Sequence, residues 1–170
     1  VRKTRKVVKV AVIGLGNTLL GDDGVGPRVV QELKTRPGSL PPEVEVLEGS
    51  GSYYNYWDAI HEASHLIVVD AVMGGGSPGS VYLLSPEQVT TGSNGAIDHE
   101  DDFFGILQLA TWRGHRPRVV LVGVEPKEVE FSLELSAEVE GRIQEVIDLV
   151  RRQCNAFLKG GPVTEKITRC

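Results

Sequence analysis

Asp22 and Asp23 stand side by side in GLGNTLLGDDGVG, the stretch from Gly14 to Gly26, and two opposed chemistries compete for it. The glycines suit a turn that cradles a phosphate, whereas paired carboxylates repel phosphate and attract a cation. A dinucleotide fingerprint requires a third glycine where helix and strand pack closely, but the third position after Gly14 and Gly16 is Leu19. A P-loop closes on Gly-Lys-Ser/Thr, and the stretch holds no lysine. Two aspartates at a helix start would also oppose a pyrophosphate bound there. The cation reading meets no such conflict, because the helix dipole favours an ionised aspartate at that end. The expected division of labour makes Asp22 the helix N-cap and Asp23 the functional carboxylate.

A second carboxylate, Asp70, closes the apolar run of HLIVVDAV, residues 65 to 72. A charge at the end of a buried run is partly desolvated unless it has a partner, so Asp70 reads as functional rather than decorative. His99, in the acidic segment DHEDD, adds an imidazole brought to the same side by the long loop before it. Two carboxylates and an imidazole are oxygen and nitrogen donors suited to zinc, nickel or manganese. The other histidines fit less well: His61 and His65 flank a strand start at the opposite edge, and His115 lies in the turn WRGHRP.

These residues need a scaffold, and the chain alternates strand and helix signals throughout. VVKVAVIG, HLIVVDAV and RVVLVGVEP are β-branched runs of the kind buried on both faces of a parallel sheet. VEVLE at 44 to 48 and SVYLLS read as further strands. Helices are expected from Pro27 to the Pro37-Gly38 stop, over YYNYWDAIHEA, and over HEDDFFGILQLATW, with residues 86 to 97 as loop. A last long helix opens at Ser136, with Val139, Ile143, Val146, Ile147, Val150 and Cys154 along one face. This alternation predicts an α/β fold: a three-layer, mostly parallel twisted sheet with helices on both faces. Ligands of such sheets bind beyond the carboxyl ends of the strands, where Asn17, Asp22, Asp23 and Asp70 fall. Gly14, Gly16 and Gly24 read as backbone devices for the turn, braced by Asn17.

The 170 residues fit a single α/β hydrolase-type domain over 1–170, with a core at about 7–158 and a loose tail at about 159–170. A formal charge of −5 with scattered basic residues argues against a nucleic-acid partner. The basic start VRKTRK precedes an apolar run too short, and interrupted by Lys9, for a signal peptide. No run approaches the roughly 20 apolar residues of a spanning helix. Cys154 and Cys170 have neither CxxC spacing nor a nearby histidine, so no disulfide framework is expected and the cytoplasm is the default compartment. Tyr53, Tyr54, Tyr56 and Trp57 fit either a partner-binding face or ordinary packing.

Three pieces together resemble one family. GLGNTLLGDDGVG after a first strand, HLIVVDAV with its terminal aspartate, and DHEDD with His99 are similar to the motifs of hydrogenase maturation endopeptidases, over about residues 7 to 158. The resemblance implies a peptidase that removes a C-terminal extension from the precursor of a nickel-iron hydrogenase large subunit after nickel insertion. It also implies that Asp23, Asp70 and His99 form the metal-contacting cluster, with Asp23 one methylene shorter than the glutamate often found in the family. Two mechanisms stay open. The three residues hold a divalent metal that activates water, or they recognise nickel carried by the precursor while Asp70 assists water attack as general base. Monomeric action is the expectation, with no membrane partner. The rival reading is a receiver-type signalling domain with Asp70 as phospho-acceptor and Lys127 as its lysine, although receiver acids close the strand directly and here GLGNTLLG intervenes.

Overall fold

The computed structural model describes residues 10–36, 38–49, 54–90 and 98–161, with the side chains of 54–56, 90 and 98–102 outside that description. Five strands form one sheet: β1 (Val10–Gly14), β2 (Val44–Glu48), β3 (His65–Ala71), β4 (Val81–Leu84) and β5 (Arg118–Val124). The helices are α1 (Val25–Thr35), α2 (Tyr54–Glu62), α3 (Pro86–Thr90), α4 (Asp98–Trp112), α5 (Ala137–Glu140) and α6 (Ile143–Leu158), and a 3-10 turn at Gly21–Gly24 leads into α1. The strand order is β2-β1-β3-β5-β4, with β4 antiparallel to β5 and every other pair parallel. The predicted α/β architecture with a mostly parallel sheet is the observed one.

Alternating side chains of the central strands enter two cores, which is why these strands are apolar at almost every position. Val10, Val12, Ile67, Val69, Val120 and Val122 pack toward α1 and α6. Ala11, Ile13, Leu66, Val68 and Leu121 pack on the other face with Ile60 of α2 and Phe103, Ile106 and Ala110 of α4. Asp70 is two residues beyond Val68, so its position belongs to the α2 and α4 side. Val139, Ile143, Val146, Ile147, Val150 and Cys154 are all buried, as their spacing predicts. Burial pushes the Cys154 thiol up to about 12, which keeps it protonated and inert.

Three local departures have physical causes. The single helix expected from Ser136 is pinched at Gly141 and Arg142, where the Arg142 N–H reaches back only three residues to the Val139 carbonyl (2.9 Å). Glycine's low helical preference permits that tightening while the apolar face carries on through it. Residues 86–90 form a short helix, and 91–97 lie outside the described residues. The expected core start at 7–9, and the tail from 162, also lie outside them. No helix among the described residues is long and apolar enough to cross a membrane.

The sheet reverses direction of growth between β1 and β3. From β1 the chain moves outward to β2 on one side, then returns to place β3 on the other. The connections on either side of that reversal leave in opposite directions and open a crevice at the carboxyl ends, the usual ligand position in open α/β sheets. Asp23 follows β1 and Asp70 lies in β3.

Candidate active site

Close backbone packing sets the turn after β1. Gly16 has φ +125°, and a Cβ there would lie 1.9 Å from the Asp23 carbonyl oxygen, so no other residue fits without moving the turn. Gly26 is tighter than any sequence signal suggests: a Cβ would meet the Leu15 oxygen at 2.1 Å and the Val69 oxygen at 2.4 Å. The start of α1 is thereby pressed onto the end of β3, one residue from Asp70. Gly24, by contrast, has ordinary backbone angles and is the N-cap of α1.

Asn17 braces the turn as expected, its Oδ1 accepting the Leu19 N–H at 2.9 Å and its carbonyl the Leu20 N–H at 3.1 Å. The Asn17 N–H donates to Asp23 Oδ2 at 2.7 Å. Asp23 is fully buried, and that bond fixes the direction of its carboxylate. Asp70 is also buried at 1% exposure, with Oδ1 accepting the Ala71 N–H at 2.8 Å. Its neighbour in register on β5 is Gly123, which presents no side chain beside it. Both carboxylates therefore sit at the carboxyl edge of the sheet, Asp23 in the turn that follows β1 and Asp70 near the end of β3.

His99 is the second residue of α4, and its side chain lies outside the described residues. The far end of α4 is at the amino edge, where His115 Nε2 bonds the carbonyl of Ala63, just before β3, at 2.9 Å. A helix of 15 residues is roughly 22 Å long, about the length of a seven-residue strand, enough to span the sheet from one edge to the other. Asp23 and Asp70 share one end of the sheet, and α4 is long enough to reach that end from its far terminus. Among the described residues no trio of acidic, histidine or cysteine side chains is arranged to hold a metal. The donor chemistry of the trio that includes His99, two carboxylates and an imidazole, suits a divalent transition metal.

Asp22 is not the cap of α1. Its buried carboxylate faces the segment after β5, with Oδ1 accepting the Ser136 N–H (2.7 Å) and Oδ2 the Lys127 N–H (2.8 Å), the Glu128 N–H (3.3 Å) and the Ser136 hydroxyl (2.8 Å). Four donors replace the water lost on burial, so Asp22 acts as a clasp holding residues 127–136 to the turn. Ser136, the N-cap of α5, is one of the groups it holds.

Glu125 is a second clasp. It directly follows β5 at 7% exposure, and its Oε2 accepts from the Tyr82 hydroxyl (2.6 Å) and from the N–H groups of Gly74 (2.8 Å) and Gly76 (3.3 Å). This ties the glycine-rich turn after β3 to the sheet. Burial, reinforced by the adjacent Glu125, raises the Tyr82 hydroxyl above its ordinary value. A raised folded-state value means the neutral form contributes stability that is complete below ~10 and is lost as pH climbs through the folded value. Urea unfolding at pH 9 and pH 11 is expected to show a smaller loss of stability for Tyr82→Phe than for the wild type; equal losses would remove the coupling.

A mostly parallel sheet with buried carboxylates at its topological reversal defines a class, the α/β enzymes whose sites are built at the strand ends. Comparison with known proteins narrows it. Residues 27–153 match the family model HycI, hydrogenase maturation protease. The chain is 30% identical over 146 residues to the hydrogenase 2 maturation protease of Escherichia coli K12, covering 84% of this chain and 88% of that one. It is 32% identical to the hydrogenase expression/formation protein HupD of Bradyrhizobium diazoefficiens, over 83% of this chain and 75% of the relative. The structure of the hydrogenase maturating endopeptidase HybD from E. coli superposes with a TM-score of 0.78 at 29% identity, over 95% of this chain and 98% of that one.

The chain belongs to the hydrogenase maturation protease family and is a peptidase of that type. The receiver reading gains no support from these relatives. Its lysine is also otherwise engaged, since Lys127 Nζ pairs with Glu138 at 3.0 Å.

Proposed function

We propose that this peptidase removes the C-terminal extension of a nickel-iron hydrogenase large-subunit precursor after nickel has been inserted. Asp23, Asp70 and His99 contact the nickel carried by the precursor, and Asp70 takes a proton from the attacking water. The observation that supports the reading is the burial of Asp23, in the turn after β1, and of Asp70, in β3, beside the sheet reversal in a chain of this family. Water adds to the scissile carbonyl as its proton passes to Asp70; the C–N bond then breaks and that proton leaves with the new amine. Bonds from the Asn17 and Ala71 N–H groups hold the two carboxylates in place without reorganisation during the reaction. The enzyme acts as a monomer in the cytoplasm.

The test is the intact mass of the precursor, nickel-loaded and nickel-free, after incubation with the protein. Loss of a C-terminal peptide from the loaded form alone is expected. Equal cleavage of both forms would overturn nickel recognition and return the trio to holding a metal of the enzyme's own, and no cleavage of either would overturn the substrate.

A further inference from the structure

The segment held by Asp22 alternates acidic or polar residues with apolar ones. Glu128, Glu130, Ser132 and Glu134 line a cavity of about 260 Å³ together with Gly21 and Asp22. The acidic residues are exposed, and so are the apolar residues between them: Val129 is 36% exposed, Phe131 80% and Leu133 75%. Leu19, 50% exposed, lies beside them, because the Ser132 N–H bonds the Leu19 carbonyl at 3.0 Å and the Gly21 N–H bonds the Ser132 carbonyl at 2.9 Å. Single exposed apolar residues are ordinary, but four gathered on two joined segments form a patch of the kind that binds partners.

The charge around the patch selects the partner. Glu128, Glu130 and Glu134 are exposed and form no close ion pair with a described residue; Lys127, which pairs with Glu138, also lies in the field of Glu128, and one lysine leaves the group of carboxylates net acidic. Asp22 has its charge met by backbone and hydroxyl donors. An apolar face with a net acidic border is complementary to a segment carrying both apolar and basic side chains. The patch is also continuous with the site, as Leu19 precedes Asp23 by four residues in the same turn.

We propose that Leu19, Val129, Phe131 and Leu133, bordered by Glu128, Glu130 and Glu134, are the docking face for a segment of the precursor rich in basic and apolar side chains. This rests on the precursor-cleaving function. The face contributes to capture of the substrate and leaves the chemical step alone.

Binding and cleavage are measured separately to test it. Binding of the nickel-loaded precursor is followed by interferometry on protein carrying Asp70→Asn, with and without the pair Phe131→Ser and Leu133→Ser, or the set Glu128→Lys, Glu130→Lys and Glu134→Lys. Each set is expected to weaken Kd about tenfold, and the lysine set to abolish the weakening that added salt causes in its parent. In otherwise wild-type protein the same sets should raise KM by a similar factor with kcat within about twofold, since lost uniform binding appears in KM. Unchanged Kd in both sets, with melting temperatures equal to the parent's, would overturn the docking face. If the serine pair instead dissociates a self-associated form in sedimentation without altering Kd, the patch joins copies of this chain and the proposal fails. Binding that responds to these variants while the unmutated protein leaves the precursor uncut would retain the docking face and overturn the cleavage reading.

Discussion

Asp70→Asn is expected to reduce precursor cleavage by at least ~10² to 10⁴-fold, the usual worth of a positioned general base, while leaving the melting temperature close to that of the wild type. The substitution is nearly isosteric and its amide oxygen can still accept the Ala71 N–H that now bonds Oδ1. What it removes is the basic oxygen and the negative charge. Asp23→Asn keeps an oxygen for the Asn17 N–H in the same way and is expected to be equally inactive and equally folded. Intact-mass analysis of the loaded precursor, paired with a thermal melt, reads both properties. Full cleavage by Asp70→Asn would sink the role given to it under either metal assignment.

Asp22→Ala should behave in the opposite manner. Removing the clasp leaves three backbone N–H groups and a hydroxyl without their acceptor, and truncating one partner of a buried charged network costs about 3 to 5 kcal/mol. For a chain of this size that corresponds to a fall of roughly 6 to 20 °C in melting temperature. Residues 127–136 should lose their seat, so amide hydrogen exchange at Lys127, Glu128 and Ser136 should rise well beyond the rest of the chain. Two adjacent aspartates thus separate by assay: one fails in turnover with its fold retained, the other fails in stability first. A melting temperature for Asp22→Ala within a degree or two of the wild type would show that the four bonds contribute little.

This separation marks the boundary of what the sequence conveys. The sheet was legible because burial on both faces forces β-branched runs such as LIVV and VVLV, and the parallel character followed from the intervening helices. The place of Asp70 at a buried strand end was legible because the apolar run before it marks β3. The same rule applied to RVVLVGVEP picks out Glu125, whose role escapes only if Pro126 is taken as the start of a loop. Asp22 was not legible. Its partners are 105 to 114 residues away, and nothing local distinguishes a carboxylate that caps a helix from one that reaches across the sheet edge. Gly26 belongs with it, since the demand for a missing Cβ comes from the carbonyl oxygens of Leu15, just after β1, and of Val69 in β3. The antiparallel seat of β4 beside β5 likewise depends on long-range pairing that no period in SVYLLS encodes.

The attachment of residues 127–136 has a further consequence for how such a protein can diverge. The segment carries no regular structure between β5 and α5, and much of its hold on the rest of the chain passes through its own backbone N–H groups to one carboxylate. Backbone donors are supplied by every residue except proline, so the side chains facing solvent are nearly independent of the anchor. Substitution at Val129, Phe131 or Leu133 can proceed without disturbing the carboxyl edge of the sheet. The buried carboxylates at the strand ends and an exposed segment free to vary are thus joined through Asp22, so the outer surface can change while the turn after β1 stays in place.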